Sequence, residues 1–594
     1  MNNKVSLCMI VKNEQNYLPG CLNSIKDIVD EIIIVDTGST DKTIEIAESF
    51  GAEIYYFNWT NNFSEARNES IKYATKDWIL IMDADDEFCS EDVKKFKTLI
   101  NTKLDINAVY YFETLNYCGS AIEDNTITVN LNPRLFKNNH GFHYEGEVHN
   151  QLVNSEYEYS GFWDSIRIYH YGYLDKNIIS KDKRNRNIAL LEGQISRDGS
   201  NKYAHFNLGN EYFALGDIKK ALEYYYNAYD DFDSLVGYSS VLLIRILISH
   251  YTIGEYDKSL EFADIGIKYF PILTDLYFLK ALIYKDMNKP VFQIKMLEKC
   301  LELGDPPSEL KFLYGSSGYR AYYELGEAYQ SLKEYDIAYN YYIETIRSKP
   351  DFIDPVYNIG YILKEKKTTI ADFKNTLEKL FSEYPKAYPI IADLFYKVEY
   401  YSISLEYLRK CELDLVIKEN LLILKTKCLI RTGNFLECIE MNTINEESSY
   451  YFNFCMCKVL SGVLTDKHDY AVSILDVLKG NPLPDHHRKI LQVYEQFIIL
   501  FAKEPTDVLS EDKNESGYTP IILEICEILL INQKFDEFEV ALNLFNLISD
   551  KTVLLLLSKL YYKYGYVDLA KSEILRSIKE FEVFDKEGLN ILTS

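Results

Sequence analysis

A run of large apolar residues that ends in a cluster of acids is the feature that most constrains the fold of this chain. The apolar part covers residues 78–82, and the acids that follow it are Asp83, Asp85, Asp86 and Glu87. The run is long enough for a buried strand, whereas a hydrophobic core cannot hold four unpaired carboxylates. We therefore predict a strand whose carboxyl end opens to solvent.

Carboxylates crowded in this way repel one another unless a cation lies between them, and hard divalent cations prefer oxygen ligands. The segment Asp83-Ala84-Asp85 is thus a candidate site for Mg²⁺ or Mn²⁺, which can also hold a diphosphate. The alternative is a solvated acidic turn after a strand. The polar clusters at neighbouring predicted strands favour the metal site.

Three earlier strands are predicted at residues 5–11, 31–35 and 53–57, and helical stretches separate them. This alternation predicts parallel pairing with right-handed crossovers, and ligands of such sheets collect beyond the carboxyl ends of the strands. Polar residues follow the first two strands at residues 12–14 and 36–40. A nucleotide across these strand ends would find an acceptor for a base N–H in Asp36.

Four segments of the chain resemble, in order and spacing, the family 2 nucleotide-sugar glycosyltransferases of A-type fold. They are residues 5–14, 31–43, 63–68 and 78–86, and the resemblance covers about the first 175 residues. It implies an α/β, Rossmann-like catalytic domain that uses a nucleotide sugar. The resemblance also implies a divalent metal and, in most members, inversion of the anomeric centre in a single displacement.

The resemblance assigns roles to individual positions near the donor. Asp36 would recognise the uracil of a UDP-sugar, Asp83 would lie against the ribose and the metal, and Asp85 would coordinate Mn²⁺ or Mg²⁺. Arg67 is a candidate for contact with the base or the phosphates, and its alternative is a solvated or salt-bridged side chain. The residues predicted to bind the donor are Val11, Asn13, Glu14, Asp36, Arg67, Asp83, Ala84 and Asp85.

A segment at residues 141–150 is rich in titratable groups and is the best place to seek a general base. It contains the candidates Glu145, Glu147 and His149. It resembles the Gly-x-Val-His-Glu element of peptide- and protein-modifying members that carry tetratricopeptide repeats, but Asn150 stands where Glu is usual. His149 has the alternative of a satisfied, partly buried histidine.

Two further elements complete the predicted site. Residues 168–173 resemble the His-x-Gly-Tyr element that closes the catalytic unit, so His170 is a candidate third metal ligand or else a core histidine. Residues 181–186 form the most basic patch of the chain. On a helix, Lys183 and Arg186 share one face and are candidates to cover the donor phosphates, unless the patch is simply a solvated face.

After residue 200 the pattern becomes helical and matches the tetratricopeptide template. The offsets of Leu208, Gly209 and Tyr212 recur at Leu325, Gly326 and Tyr329. We therefore predict a catalytic domain at residues 1–175, a linker helix at 176–200, tetratricopeptide repeats at 201–365 and degenerate helical repeats at 366–594. The repeats would form a concave surface for a peptide or protein.

Composition narrows the class of partner. The chain has 594 residues and a formal net charge of −26, so most of its surface would repel nucleic acid. Eleven cysteines without metal-ligand spacing suggest free thiols in a reducing cytoplasm. No segment approaches the length of a transmembrane helix. A homo-oligomer is compatible with this sequence.

The sequence as a whole indicates a metal-dependent glycosyltransferase that moves a sugar, most simply GlcNAc or glucose, from a UDP-sugar. Relatives of this two-part architecture imply bacterial protein glycosylation on Ser, Thr or Cys, with flagellin as the expected type of acceptor. The first alternative is a transferase that acts on a cell-surface glycan or lipid intermediate. The second is a non-catalytic scaffold that only binds a nucleotide sugar.

Overall fold

The structure is a computed structural model. It describes residues 3–119, 126–172, 174, 183–381, 387–411, 419–442, 444–480, 482–512 and 517–593. The chain forms two compact units, Met1–Pro355 and Val356–Ser594. The finer division predicted at residues 175, 200 and 365 stays a prediction.

The first unit begins with the predicted alternation of strands and helices. The strands are β1 (Val5–Val11), β2 (Glu31–Asp36), β3 (Glu53–Tyr56) and β4 (Trp78–Ile81), and the helices between them are α1 (Leu18–Ile25), α2 (Thr43–Ser49) and α3 (Phe63–Lys72). β1 pairs in parallel with both β2 and β4, and β2 pairs in parallel with β3. The α/β fold class is thus confirmed.

The sheet is buried on both faces. Leu7, Ile34 and Leu80 pack on one side, while Cys8 and Ile79 pack on the other, because successive side chains of a strand point to opposite faces. All of these residues are 0 % exposed. Two-sided burial explains why the strands read as continuous apolar runs.

The second half of the catalytic domain extends this sheet. It contains β5 (Asp86–Phe88), α4 (Val93–Ile100), β6 (Ala108–Cys118), β7 (Thr126–Lys137), the hairpin β8 (Phe142–Glu145) and β9 (Gln151–Asn154), and β10 (Ser160–His170). In the described part of the chain, the main sheet has the order β3-β2-β1-β4-β7-β6-β10-β5. β7 runs antiparallel to both β4 and β6, so the sheet is mixed.

The first unit continues as helices that pack against their neighbours in the chain. They are α5 (Lys183–Arg197), α6 (Lys202–Ala214), α7 (Ile218–Tyr229), α8 (Ser239–Thr252), α9 (Tyr256–Tyr269), α10 (Thr274–Asp286), α11 (Pro290–Leu303), α12 (Tyr319–Ser331) and α13 (Tyr335–Ser348). Gly209 of α6 and Gly326 of α12 face the buried rings of Tyr225 and Tyr342. The small residues thus let paired helices approach closely, as the repeat template predicts.

The loop between α11 and α12 joins the repeats to the catalytic sheet. Phe312 accepts a backbone hydrogen bond from Val129 of β7 at 2.8 Å. The fully buried carboxylate of Asp275 accepts the backbone N–H groups of Phe312 and Leu313 at 2.7 and 3.0 Å. Burial raises the pKa of Asp275, although these bonds act in the opposite direction. No local sequence pattern predicts this attachment.

The second unit is helical, as the prediction of degenerate repeats requires. Its helices include Ile370–Leu380, Tyr388–Lys397, Tyr401–Cys411, Glu419–Arg431, Tyr451–Val463, His468–Lys479, Asp485–Ala502, Thr519–Ile531, Val553–Lys563 and Val567–Arg576. In the described part of the chain, no helix is both long and apolar enough to cross a membrane.

The packing of Gly326 against Tyr342 gives a stability prediction. A Cβ atom on Gly326 would lie 2.4 Å from Cε1 of Tyr342, a fully buried ring that has no room to move. We expect Gly326→Ala to lower the free energy of unfolding by about 1–3 kcal/mol, the usual cost of overpacking a core. The measurement is guanidinium denaturation followed by circular dichroism.

Gly193 provides the matched control in the same unit. A Cβ atom on Gly193 would meet no atom within 4 Å. Gly193→Ala is therefore expected to leave stability unchanged or to raise it by up to about 1 kcal/mol, because alanine favours helix. Equal stability of the two variants would show that the glycine–tyrosine contact does not hold the repeat together.

Candidate active site

The carboxyl ends of β1, β2 and β4 lie side by side at one edge of the sheet, as the sequence predicts. Val11 at the end of β1 is in register with Asp36 at the end of β2. Asp36 is buried, and its carboxylate accepts the backbone N–H groups of Gly38 and Ser39 at 2.9 to 3.1 Å. These bonds close the turn after β2 and fix the carboxylate in place.

The turns after β1 and β2 form one connected polar rim. The side-chain oxygen of Asn13 accepts the backbone N–H of Thr40 at 2.8 Å, and the backbone N–H of Asn13 donates to the Ser39 hydroxyl at 3.0 Å. The backbone N–H of Glu14 donates to the Thr43 hydroxyl at 2.7 Å. The structure thus brings Asn13 and Glu14 to the same edge as Asp36.

An acidic cluster with one histidine lies at the end of β4. Among the described residues, ligand-capable atoms of Asp83, Asp86 and His170 lie within 4.8 Å of one another. Asp85 Oδ1 is 3.7 Å from His170 Nδ1. Burial lowers the pKa of His170, but Asp85 and Asp86 together raise it above its ordinary value. Negative charge is therefore concentrated at this point of the sheet edge.

Arg134 of β7 neutralises the most deeply buried of these carboxylates. One guanidinium nitrogen lies 2.8 Å from Asp86 Oδ2, and both side chains are almost fully buried. The same guanidinium donates to the carbonyl oxygen of Ile81 and to the hydroxyl of Thr114. Asp86 Oδ1 is also 2.8 Å from His170 Nδ1. Asp86 thus holds the imidazole so that Nε2 faces away from it.

The atoms beside Gly172 show whether a divalent cation would fit this cluster. A Cβ atom on Gly172 would lie 2.5 Å from His170 Nε2 and 2.7 Å from Asp85 Oδ2. The absence of a side chain at Gly172 leaves a space bordered by an imidazole nitrogen and a carboxylate oxygen, donors that Mn²⁺ accepts. The residues present therefore fit a cation, with Asp86 as the residue that orients a histidine ligand.

Arg67 of α3 reaches the same cluster. Its guanidinium is 2.7 Å from Asp83 Oδ1 and lies over the ring of Tyr144, 5.3 Å from the ring centre. The structure therefore shows the salt-bridged arrangement for Arg67 and also places it at the predicted site. Ala84 is buried between the two aspartates.

The predicted acceptor-side residues belong to the β8–β9 hairpin. The Glu145 side chain is 67 % exposed and lies 3.1 Å from His143 Nε2. Both carboxylate oxygens of Glu147 accept hydrogen bonds from Arg197, at 3.1 and 2.8 Å. These bonds lower the pKa of Glu147 and make it a weaker base.

His149 lies in the hairpin loop in a left-handed conformation, with φ of 50°. Its Nε2 is 3.8 Å from Oε1 of Glu211, a buried residue of α6. His149 is about one-third exposed. The candidate base thus contacts the first helix of the predicted repeat region.

The basic patch lies at the start of α5. The guanidinium of Arg186 lies over the ring of Phe63, 5.0 Å from the ring centre. The side chain of Lys183 falls outside the described part of the structure. Contact of these two residues with donor phosphates stays a prediction.

Three residues of the site were not singled out by the sequence. Asp86 belongs to the predicted acidic cluster. Its position three residues after Asp83 is the only local indication that it belongs to the site. Arg134 and Glu211 come from distant segments and reach the site through tertiary contacts. Their sequence neighbourhoods predict a strand and a repeat helix, and they carry no sign of a site.

Comparisons with known proteins agree with this geometry. Residues 6–128 match the model of glycosyl transferase family 2, and residues 203–230 and 319–352 match that of the tetratricopeptide repeat. An uncharacterized glycosyltransferase of Rickettsia bellii is 40 % identical over 91 residues, which cover 15 % of this chain and 31 % of that protein.

Two relatives span more of the chain. A TPR repeat-containing protein of Synechococcus elongatus is 33 % identical over 226 residues, which cover 37 % of this chain and 54 % of that protein. The SPbeta prophage-derived glycosyltransferase SunS of Bacillus subtilis is 30 % identical over 308 residues, which cover 49 % of this chain and 70 % of SunS. The chain therefore belongs to glycosyl transferase family 2 and carries tetratricopeptide repeats behind its catalytic domain.

Proposed function

We propose that this protein transfers GlcNAc or glucose from a UDP-sugar to a Ser, Thr or Cys side chain of a bacterial protein such as flagellin. The observation that carries the proposal is the set of Asp85, Asp86 and His170 around the space at Gly172. This set lies at the sheet edge where a parallel α/β sheet binds its ligands. All eleven cysteines are free thiols, which suits a reaction in the cytoplasm.

The polar rim at the ends of β1 and β2 would hold the nucleotide. Asp36 would accept a hydrogen bond from the uracil, while Val11, Asn13 and Glu14 border the same edge. Arg67 already neutralises part of the charge of Asp83. This pairing leaves Arg67 close to the place where the ribose and the phosphates would lie.

A divalent cation, when bound, would neutralise the diphosphate of the departing nucleotide. Asp85 and His170 would hold it, and Asp83 is the candidate third ligand. Arg134 and Asp86 keep the imidazole of His170 in one orientation. These contacts prepare the site before any ligand arrives.

His149 is the residue that we assign as general base. The acceptor oxygen or sulfur would attack C1 of the sugar, while the bond from C1 to the diphosphate oxygen breaks and its electron pair leaves with UDP. The acceptor's proton would pass to His149. Glu147 is less suited to this role, because its carboxylate is paired with Arg197.

The repeats would recruit the acceptor. Two stretches match the tetratricopeptide model, and helical solenoids of this type form extended surfaces for polypeptides. A protein acceptor would explain why so much of the chain consists of helices.

The metal ligand set predicts the effect of Asp85→Asn. Loss of the carboxylate charge should lower the Mn²⁺-dependent affinity for the preferred UDP-sugar by at least about tenfold, because metal affinity depends strongly on its ligands. Isothermal titration with a panel of UDP-sugars, with and without Mn²⁺, measures this. Glu158→Gln, which removes an exposed carboxylate, is the control. Undiminished Mn²⁺-dependent affinity in Asp85→Asn would refute the assignment.

The space beside Gly172 predicts a second effect. In Gly172→Ala, the new methyl group would occupy the position between His170 Nε2 and Asp85 Oδ2. We expect the same titration to show loss of the Mn²⁺-dependent part of donor binding. Gly20→Ala, where a Cβ atom would meet nothing within 4 Å, is the matched control. Normal Mn²⁺ dependence in Gly172→Ala would exclude a cation at this position.

Truncation tests whether the second unit contributes to acceptor recruitment. All the residues assigned above lie within Met1–Pro355, so this fragment should bind and slowly hydrolyse the UDP-sugar like the full chain. We expect it to transfer less sugar to protein. The measurement is labelled-sugar transfer to proteins of a bacterial lysate, with donor hydrolysis as the internal control. Equal protein labelling by both forms would exclude the second unit from recruitment.

A further inference from the structure

The loop that carries His149 is held between helix α3 and the repeat helices. On the catalytic side, the hydroxyl of Ser64 donates to the carbonyl oxygen of Gly146 at 2.6 Å. The backbone N–H of Phe63 donates to the carbonyl oxygen of Glu147 at 3.0 Å. On the repeat side, Val148 is buried in the same hydrophobic core as repeat residues such as Leu208. The position of His149 therefore depends on both helix α3 and the core of the repeat helices.

Glu211 of α6 is the group that meets His149 from the repeat side. Its carboxylate is buried, and its two oxygens have different partners. Oε2 is 3.1 Å from the Arg184 guanidinium. Oε1 accepts a hydrogen bond from the Asn187 side chain at 2.8 Å and lies 3.8 Å from His149 Nε2. Two chain segments, α5 and the hairpin loop, thus converge on one carboxylate of α6.

A buried carboxylate is costly unless its charge is compensated. Burial raises the pKa of Glu211, but His149, Asn187 and Arg184 together lower it below its ordinary value. Glu211 is therefore ionised at neutral pH. Other charged groups on the elements around this loop include Arg186 and Glu192 of α5 and the Glu147–Arg197 pair.

We infer that Glu211 is a positioning residue for His149, so that the first repeat helix completes the catalytic site. The inference rests on the proposed role of His149 as general base. At 3.8 Å the contact is electrostatic and longer than a hydrogen bond. Glu211 faces Nε2, which leaves Nδ1 as the atom that takes the acceptor's proton. The resulting imidazolium would then face a carboxylate that stabilises it.

The test uses full-length Glu211→Gln, a nearly isosteric change that removes the charge. The kcat for sugar transfer should fall by at least about tenfold, because the base would lose its orientation, whereas the KM for the UDP-sugar should stay within about twofold of the wild type. Glu211→Asp, which keeps the carboxylate, should recover part of the lost kcat.

Glu192→Gln is the matched control. Glu192 lies on α5, accepts a hydrogen bond from Tyr212 at 3.0 Å and is exposed. This variant should leave both the kcat and the KM unchanged. A role of Glu211 in folding alone would lower the melting temperature without lowering the kcat of the folded protein.

Two variants let the inference and the proposed function fail separately. A kcat of Glu211→Gln within about twofold of the wild type, together with an inactive His149→Gln, would overturn the inference. Full activity of His149→Gln would instead overturn the assignment of the base, and with it any catalytic role for Glu211.

Discussion

The buried ion pair between Arg134 and Asp86 is the interaction on which the candidate active site depends. Asp83, Asp85 and Asp86 lie within four consecutive positions and would repel one another without a nearby cation. Both members of the pair are almost fully buried, so loss of either would leave an unpaired charge at a cost of about 3–5 kcal/mol. Arg134 engages Asp86, and Asp85 and His170 are the groups that border the space at Gly172.

Local sequence patterns predicted the strands of the catalytic domain and their acidic ends, because both follow from apolar runs and the residues directly after them. They could not predict Arg134. In the structure, Tyr110 pairs with Leu135 and Tyr111 pairs with Pro133, so Arg134 is the extra residue of a β-bulge. Such a bulge redirects a side chain, and nothing in a single strand shows where its partner strand will be irregular.

The repeats also combine features that neighbouring residues predict with contacts between distant segments that they do not predict. The repeated offsets of Leu208, Gly209 and Tyr212 predicted the helix pairs, because a small residue at a helix crossing lets paired helices pack closely. The attachment of the repeats to the catalytic domain was not predictable. It depends on Asp275, which holds Phe312 against β7, and on Val148, which leaves the hairpin to join the repeat core. Each of these contacts joins segments that are far apart in the chain.

The contacts around His149 show that the first repeat helices have two roles. Val148 and Glu211 connect the hairpin loop to helices that pack within Met1–Pro355. A change in the packing of α5 or α6 would therefore alter the position and the charge environment of His149. The first repeat helices therefore pack into the repeat core and also hold the loop that carries His149.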